Sequence, residues 1–236
     1  MTKSESAAHS ETKTALLEAA QVLFSRKGFA AVSTREVAEA AHVNLGSIQY
    51  YFGSKGKLFI ETIRHMMAVG GEVAKHRVSI PDCGTCVYSS GVSLAQFVKA
   101  FLSYLLVPEG QEPCRLMFRE IFTETSEDPE MFEALVSTMS DEFARPLEEM
   151  LRKLLLVINP RQAQHEVSAN VRSIIGQCSF YVTHRPFQER LMGVCLADSA
   201  TINQIAQHIS AFSLAGLGVD QKIISAVMEE VFLRKE

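Results

Sequence analysis

Residues 33–57, STREVAEAAHVNLGSIQYYFGSKGK, decide the fold of the N-terminal part of this chain. Ser33 and Glu36 have the spacing of a capping box, in which the serine side chain caps a helix start and the glutamate reaches back to the serine N–H. Asn44 is placed to cap a second helix, residues 45–51. Two short helices joined by a tight turn, with the start of a third helix after them, predict a helix-turn-helix of the kind that reads DNA.

The side chains that face outward from these helices form the candidate DNA interface. Ile48 faces inward, whereas its neighbours supply exposed hydrogen-bonding groups. Ser54 is placed to cap the third helix, and Lys55 adds a positive charge to its N-terminus, which is a ready phosphate site. The predicted DNA-binding residues are Ser47, Gln49 and Tyr50 for the major groove and Thr34, Tyr51 and Lys55 for phosphates, with Leu45 and Gly46 completing the set.

The same segment resembles the N-terminal domain of TetR-family transcriptional repressors. The resemblance covers residues 14–63 and includes ALLEAAQVLFSRKGF, residues 15–29, as the first helix. A composite pattern of this length is far more specific than a lone short motif. Two positions depart from the family, because His42 stands where the turn usually has Gly and Gln49 stands where Tyr is usual. Histidine tolerates left-handed backbone better than most residues, so His42 is compatible with the turn.

The 236-residue chain carries a formal net charge of −4, which is divided unevenly along its length. Residues 1–77 hold ten Lys and Arg against seven Asp and Glu, whereas residues 78–236 hold thirteen against twenty. The positive part coincides with the helix-turn-helix, as contacts with phosphates require. A difference of this size is also an ordinary fluctuation, so the charge alone does not decide the function.

The composition favours a soluble globular protein, with 47% apolar and 21% charged residues. No apolar run approaches the ~18 residues of a membrane span, so we expect no membrane partner. Five cysteines, an odd number, fit a reducing cytoplasm. Residues 1–12 are polar and lack an apolar signal core, and we expect them to form a disordered tail.

The rest of the chain has helical periodicity and none of the strict alternation of a strand. The predicted organisation is all-α, with a three-helix helix-turn-helix domain at 13–57 and a helical bundle at 58–236. Residues 78–93, rich in Ser, Gly, Pro and Cys, are expected to form a linker. Three helix boundaries are also predicted from prolines: PEGQEP at 108–113 ends a helix, a long helix from Asp128 kinks at Pro146, and another helix starts at Asn159.

The second half of the chain carries a resemblance of its own. RLMFRE at 115–120, FARPLEEML at 143–151, SIIGQCSFYVTHRP at 173–186 and HISAFSLAGL at 208–217 resemble the ligand-binding domain of the CecR-type subset. The resemblance implies an all-helical domain that binds a small-molecule effector and forms a homodimer. The candidate lining of an apolar cavity, between helices that begin at Lys55, Ser93, Cys114 and Asp128, is Met66, Phe101, Tyr104, Met117, Phe118 and Phe122. The candidate dimer contacts are Ile174, Phe180, Ile205 and Phe212. Ordinary core packing is the alternative for the residues of both sets.

These patterns predict a cytoplasmic, ligand-responsive repressor that binds double-stranded operator DNA and is released by a small lipophilic molecule. An alternative is a redox or metal sensor on the same frame, using Cys83 and Cys86. A structural zinc site needs four ligands and no second Cys pair is present, which favours two cysteines of no special role. We expect no cofactor and no metal. An enzyme with an appended helix-turn-helix is disfavoured, because the sequence shows no nucleophile elbow, phosphate loop or HExxH.

Overall fold

The computed structural model describes residues 3–77, 85–123 and 128–234, and every regular element in these ranges is helical. This confirms the all-α prediction. Two π-helical segments, Met139–Ala144 and Glu229–Leu233, continue α-helices without a break. The α-helices are α1 Lys3–Lys27, α2 Thr34–Ala40, α3 Gly46–Tyr51, α4 Lys55–Arg77, α5 Val87–Leu105, α6 Pro108–Phe122, α7 Pro129–Thr138, α8 Arg145–Ile158, α9 Gln164–Thr183, α10 Arg185–Met192, α11 Ser199–Gly216 and α12 Gln221–Met228.

The chain divides into two compact units. The first unit contains Met1–Gly71 and Glu112–Ser140, and the second unit contains Glu72–Gln111 and Asp141–Glu236. This division differs from the predicted boundary after residue 57, because α7 packs against the first turn of α4. A Cβ added at Gly56 would lie 3.1 Å from Cβ of Met131, so the two helices meet closely there. Local sequence patterns do not show that segments so far apart share one core.

A cluster of three phenylalanines holds the first unit together. The Phe24 and Phe59 rings meet edge to face with centroids 5.1 Å apart, and Phe29 and Phe59 do so at 5.3 Å. Val37 of α2 and Ile48 of α3 are also buried. Both helices of the helix-turn-helix are therefore anchored by the same core, which fixes the direction of their exposed faces.

The end of α1 is closed by side chains from α6. Nη1 of Arg119 donates to the Ser25 carbonyl at 3.3 Å, and Nη2 of Arg119 donates to the Phe24 carbonyl. Oε1 of Glu120 accepts from the Phe29 N–H at 3.0 Å. The last carbonyls of a helix lack intrahelical partners, so Arg119 stabilises the C-terminus of α1.

Two segments that were expected to be irregular are helical. The predicted disordered tail at 1–12 is wrong for the described residues, because α1 begins at Lys3. This segment contains the helix formers Ala and Glu, and the ring of His9 packs on Tyr51. The predicted linker at 78–93 ends earlier than expected, because α5 begins at Val87, while residues 78–84 lie outside the described ranges. The first turns of α5 are rich in Ser and Gly, and they are helical because residues 90–93 are buried in the second unit.

Prolines open helices in this fold, including one in a segment that the sequence predicted to end a helix. PEGQEP does not end a helix, because α5 already ends at Leu105 and Pro108 is the first residue of α6, where its missing N–H is not needed. Pro186 likewise lies in the first turn of α10, a helix that was not predicted. The segment from Asp128 is α7, the π-helical Met139–Ala144 and α8, so the expected kink near Pro146 takes the form of a wider helical turn before it.

Asn159 ends a helix although the sequence predicted that it starts one. It is the C-cap of α8, and its Nδ2 donates to the Leu217 carbonyl at 3.2 Å. The next helix, α9, begins only at Gln164, where Glu166 accepts from the Ala163 N–H at 2.7 Å. The Asn-Pro pair therefore forms the connection, and the capping glutamate sets the helix start.

Helix α5 lies at the centre of the second unit, packed against α8, α9, α11 and α12. A Cβ added at Gly91 would lie 3.1 Å from Cγ2 of Val227, which shows how closely α12 approaches α5. The apolar side of α8 repeats at helical spacing and is buried against this centre. Among the described helices none alone is long and apolar enough to cross a membrane, and α5 with residues 110–122 of α6 meets that measure only as a bent pair.

Candidate nucleic-acid interface

The start of α2 is fixed by the predicted capping box. The Glu36 N–H donates to Oγ of Ser33 at 3.2 Å, and the Ser33 N–H donates to Oε2 of Glu36 at 2.8 Å. Nζ of Lys27 lies 2.8 Å from Oε1 of Glu36 and ties the end of α1 to the same carboxylate. The hydrogen bonds from Lys27 and Ser33 lower the pKa of Glu36 from 4.5 to about 2. The carboxylate is therefore ionised at neutral pH and holds α2 to α1.

The turn between α2 and α3 has left-handed backbone at His42, with φ of 56°. Among the described residues this is the one non-glycine position with positive φ. The Val43 N–H donates to the Ala38 carbonyl at 3.0 Å and the His42 N–H to the Glu39 carbonyl at 3.1 Å, which is the Schellman pattern of a helix C-terminus. The turn therefore has the geometry that glycine usually supplies, and His42 adopts it.

Helix α3 presents one side to the core and the other to solvent. It begins at Gly46, one residue later than predicted, and the Gly46 N–H donates to Oδ1 of Asn44 at 2.9 Å. Ile48 is buried, whereas Gln49 is exposed and Tyr50 keeps 74% of its surface. The predicted major-groove residues therefore lie together on one exposed helix face, with Leu45, Gly46 and Ser47 at its start.

The three residues predicted to contact phosphates differ in their exposure and in the groups that they touch. Thr34 and Tyr51 are half-buried at the ends of α2 and α3. Nζ of Lys55 lies 3.3 Å from the Ala30 carbonyl and 4.3 Å from the centroid of the Phe29 ring, so it also stabilises the loop after α1. Lys57, which the sequence analysis missed, is exposed in the same first turn of α4. Its position two residues after Lys55, in the same helical turn, was the sequence feature that could have identified it.

His9 is a second residue near the interface that the sequence analysis missed. Its ring centroid lies 4.6 Å from that of Tyr51 and 5.7 Å from that of Tyr50, and the two tyrosines meet edge to face at 5.1 Å. The helix-forming composition of the first residues was the signal that could have found it. The extension of α1 thus reaches the exposed face of α3.

The predicted cavity residues are distributed over both units. Met66, Met117, Phe118 and Phe122 belong to the first unit, whereas Phe101 and Tyr104 belong to the second. Met66, Met117 and Tyr104 are buried. Phe118 stacks on Phe122 with centroids 5.9 Å apart, and Phe122 keeps 71% of its surface exposed. Phe101 stacks on Phe97 at 5.3 Å.

The predicted dimer contacts separate into two pairs. Phe180 of α9 and Phe212 of α11 are exposed, at 44% and 60%. Ile174 and Ile205 are instead buried within the protomer, which assigns them to intramolecular packing and corrects their prediction as interface residues. The exposed aromatic pair is what remains for a partner.

The predicted sensor cysteines lack a described metal-ligand set. Cys83 lies outside the described residues, and Cys86 is the exposed N-cap of α5. Sγ of Cys86 lies 3.3 Å from Oγ of Ser89, and hydrogen bonds to Ser89 lower the pKa of the thiol. Within residues 3–77, 85–123 and 128–234, no three His, Cys, Asp or Glu side chains are grouped to hold a metal.

Two family models match the chain. Residues 16–62 match the family described as bacterial regulatory proteins, tetR family. Residues 91–217 match the C-terminal domain of the HTH-type transcriptional dual regulator CecR, which is more than half of the chain. The first match contains α2 and α3, and the second runs from α5 to the end of α11. They agree with the two resemblances that the sequence showed.

Similar proteins agree with these matches. The chain is 31% identical to the Probable HTH-type transcriptional regulator YttP of Bacillus subtilis over 127 residues, 54% of this chain and 56% of that protein. It is 38% identical to the HTH-type transcriptional repressor NicS of Pseudomonas putida over 72 residues, 30% of this chain and 34% of that protein. The aligned part thus spans about half of one relative and a third of the other.

Solved structures share the fold at low identity. A TetR-like transcriptional regulator from Rhodococcus sp. RHA1 is similar with a TM-score of 0.59 at 16% identity, over 89% of this chain and 97% of that one. The fatty acid degradation regulator FadR from Bacillus halodurans is similar with a TM-score of 0.58 at 16% identity, over 84% and 94%. At such identities the similarity establishes the fold alone.

Proposed function

The chain belongs to the TetR family of bacterial regulatory proteins and carries a C-terminal domain of the CecR type, and from this membership we propose that it is a ligand-responsive repressor that binds operator DNA as a homodimer in the cytoplasm. It is a DNA-binding transcriptional regulator by family. The observation that carries the operator-binding part of this proposal is the exposed face of α3, with Gln49 and Tyr50 outward and Ile48 held in the core. A helix anchored in this way enters the major groove with a fixed side-chain face.

Gln49 is the residue proposed to read sequence. A glutamine side chain can donate to and accept from an adenine edge at once, which discriminates by ~1–3 kcal/mol against other bases. Gln49→Ala should therefore reduce the ratio of specific to random DNA affinity. The measurement is fluorescence anisotropy with a selected operator and a scrambled duplex. Equal losses on both duplexes would contradict the assignment.

Lys55 is proposed to hold a phosphate, with Thr34 and Tyr51 beside it. Lys55 places a positive charge in the first turn of α4, where a helix N-terminus favours a phosphate. Lys55→Ala should weaken all sequences alike and reduce the slope of log affinity against log salt by about one. Lys153→Ala, on the exposed side of α8, is the matched control and should leave the slope unchanged.

The homodimer is proposed to form through α9 and α11. Phe180 and Phe212 expose large apolar surfaces on these helices, which favours burial against a second copy. Phe212→Glu should shift the mass measured by light scattering at micromolar concentration from dimer to monomer. Because Phe212 is exposed, a glutamate at this position should not disturb the packing of the protomer. The variant should therefore keep its helical circular dichroism. A wild-type protein that is monomeric at this concentration would contradict the proposal.

The effector is proposed to be a lipophilic small molecule. The support is the Phe and Met content of residues 91–217, the part that matches the CecR-type C-terminal domain, since these residues form adaptable apolar walls. A ligand releases DNA only by binding better to the state that does not bind the operator. A thermal-shift screen with operator release as second readout tests this. A polar metabolite that both stabilises the protein and releases the operator, with no apolar compound doing so, would refute the proposal.

A further inference from the structure

The exposed side of α3 lies against the N-terminal part of α1. Helix α3 spans six residues, and Ile48 is the residue that it buries. A helix this short is not stable alone, and the core fixes only the side that carries Ile48. Tyr50 keeps 74% of its surface, so the core does not hold its ring. The orientation of this ring therefore depends on groups that touch it from outside the core.

His9 of α1 touches the rings of both tyrosines of α3. Its ring centroid lies 4.6 Å from that of Tyr51 and 5.7 Å from that of Tyr50, and the two tyrosine rings meet edge to face at 5.1 Å. Each ring of this cluster therefore contacts the other two. Aromatic pairs have preferred geometries, so the cluster restricts the rotamers that both tyrosines can adopt.

The cluster continues into the core through Phe52, the C-cap of α3. The Tyr51 and Phe52 ring centroids are 6.2 Å apart, and Phe52 is buried. Nζ of Lys13, four residues after His9, lies 5.9 Å from the centroid of the Phe52 ring. Residues four apart lie on the same side of a helix. One side of α1 therefore contacts the three consecutive aromatic residues at 50–52 and supports the end of α3.

We propose that His9 is a positioning residue for DNA recognition, which holds the rings of Tyr50 and Tyr51 in the orientation that meets the DNA. This inference rests on the proposed DNA-binding function of α3. A side chain that is already ordered loses less conformational entropy when it binds, so ordering two rings in advance raises the affinity for DNA. His9 acts through the tyrosines, and the property that it supplies is an aromatic ring rather than a charge.

The first experiment examines the tyrosine rings by NMR in the full chain without DNA. The chain has five tyrosines, so ring-labelled tyrosine gives a small set of signals, assigned with Tyr50→Phe and Tyr51→Phe. His9→Ala should shift the signals of both rings, because it removes the ring next to them, and should leave the other tyrosines unchanged. Unchanged signals of Tyr50 and Tyr51 in His9→Ala would overturn the proposal.

Ser10→Ala is the matched control for both experiments. Ser10 is exposed at the next position of α1, so it points about 100° away from His9 around the helix. Both substitutions introduce alanine, which favours helix more than histidine or serine does. A change seen in His9→Ala and absent from Ser10→Ala is therefore due to the loss of the ring, since neither variant weakens α1.

The second experiment measures DNA affinity by fluorescence anisotropy, with an operator duplex selected from random-sequence DNA. His9→Ala should weaken binding by about 5-fold, whereas Ser10→Ala should leave it unchanged. His9→Phe should restore most of the affinity, because it returns a ring without a charge. The slope of log affinity against log salt should be the same in all of these proteins, since no phosphate contact is lost.

Two results of the second experiment would overturn the proposal. One is wild-type affinity in His9→Ala. The other is a His9→Phe protein as weak as His9→Ala with a reduced salt slope, because His9 would then contact a phosphate itself. A wild-type protein that binds no duplex would instead refute the DNA-binding function and the recognition role of His9 with it, while the NMR signals would still decide whether His9 orders the two rings.

Discussion

At the scale of single residues, two side chains hold the helix-turn-helix in shape. His42 adopts the left-handed backbone of the turn without the freedom of a glycine. Glu36 joins the start of α2 to the end of α1 through Ser33 and Lys27. Both positions were visible in the sequence, since a capping box and a turn residue are local features. Lys55 was only partly predictable, because the carbonyl and the ring that it contacts come from the loop after α1.

His42→Gly should stabilise the protein, because glycine adopts positive φ at no steric cost. The expected gain is about 1 kcal/mol in the free energy of unfolding, measured by urea denaturation. Ala40→Gly, in the last turn of α2, should instead lose about 1 kcal/mol, because helical backbone does not favour glycine. A loss at His42→Gly as large as that at Ala40→Gly would show that the histidine side chain stabilises the turn.

Glu36→Gln should make stability less dependent on acid. The pKa of Glu36 in the folded protein, about 2, is lower than its ordinary value of 4.5, so its contribution is complete above pH 4.5 and lost as pH falls towards 2. The variant should melt at a lower temperature than the wild type at pH 7, and the difference should shrink as pH falls from 4.5 to 2. Glu39→Gln removes an exposed pair with Arg35 and should change the melting temperature little at pH 7.

At the scale of helices, features set by the local sequence were predicted, whereas features set by contacts between distant segments were not. Caps predicted the starts of α2, α3 and α7, because Ser33, Asn44 and Asp128 accept hydrogen bonds from nearby backbone N–H groups. The start of α5 and the division between the units could not be predicted, because they depend on packing against segments far along the chain. Gly91 and Gly56 look like linker and turn residues in sequence, yet both are points where another helix approaches.

Gly110 is a helical glycine whose replacement should be costly. A Cβ there would collide with the Tyr104 carbonyl oxygen, which is backbone and cannot move aside alone. Gly110→Ala should therefore lower the free energy of unfolding by about 2 kcal/mol or more in urea titrations, although alanine favours helices. Glu112→Ala, which removes an exposed pair with Arg115, should change it by less than about 1 kcal/mol. Equal effects of the two changes would show that the collision is relieved.

At the scale of the whole molecule, the chain forms two compact units. The anchored α3 is proposed to read sequence, and the exposed aromatic residues of α9 and α11 are proposed to meet a second copy. Two recognition helices related by a two-fold axis fit half-sites about 34–36 Å apart, or roughly 10 base pairs centre to centre or a multiple of that. The sequence predicted the fold and the exposed face of α3, whereas the proposed effector depends on a cavity shape that no local pattern encodes.

The most direct test is selection of the genomic fragments of the source organism that bind the purified full chain. We expect enrichment of an inverted repeat whose half-sites have this spacing. Gln49→Ala should bind the enriched site and random DNA with similar affinity. Fragments without a shared repeat, bound equally by the wild type and Gln49→Ala, would contradict a dimeric repressor that reads its operator through α3.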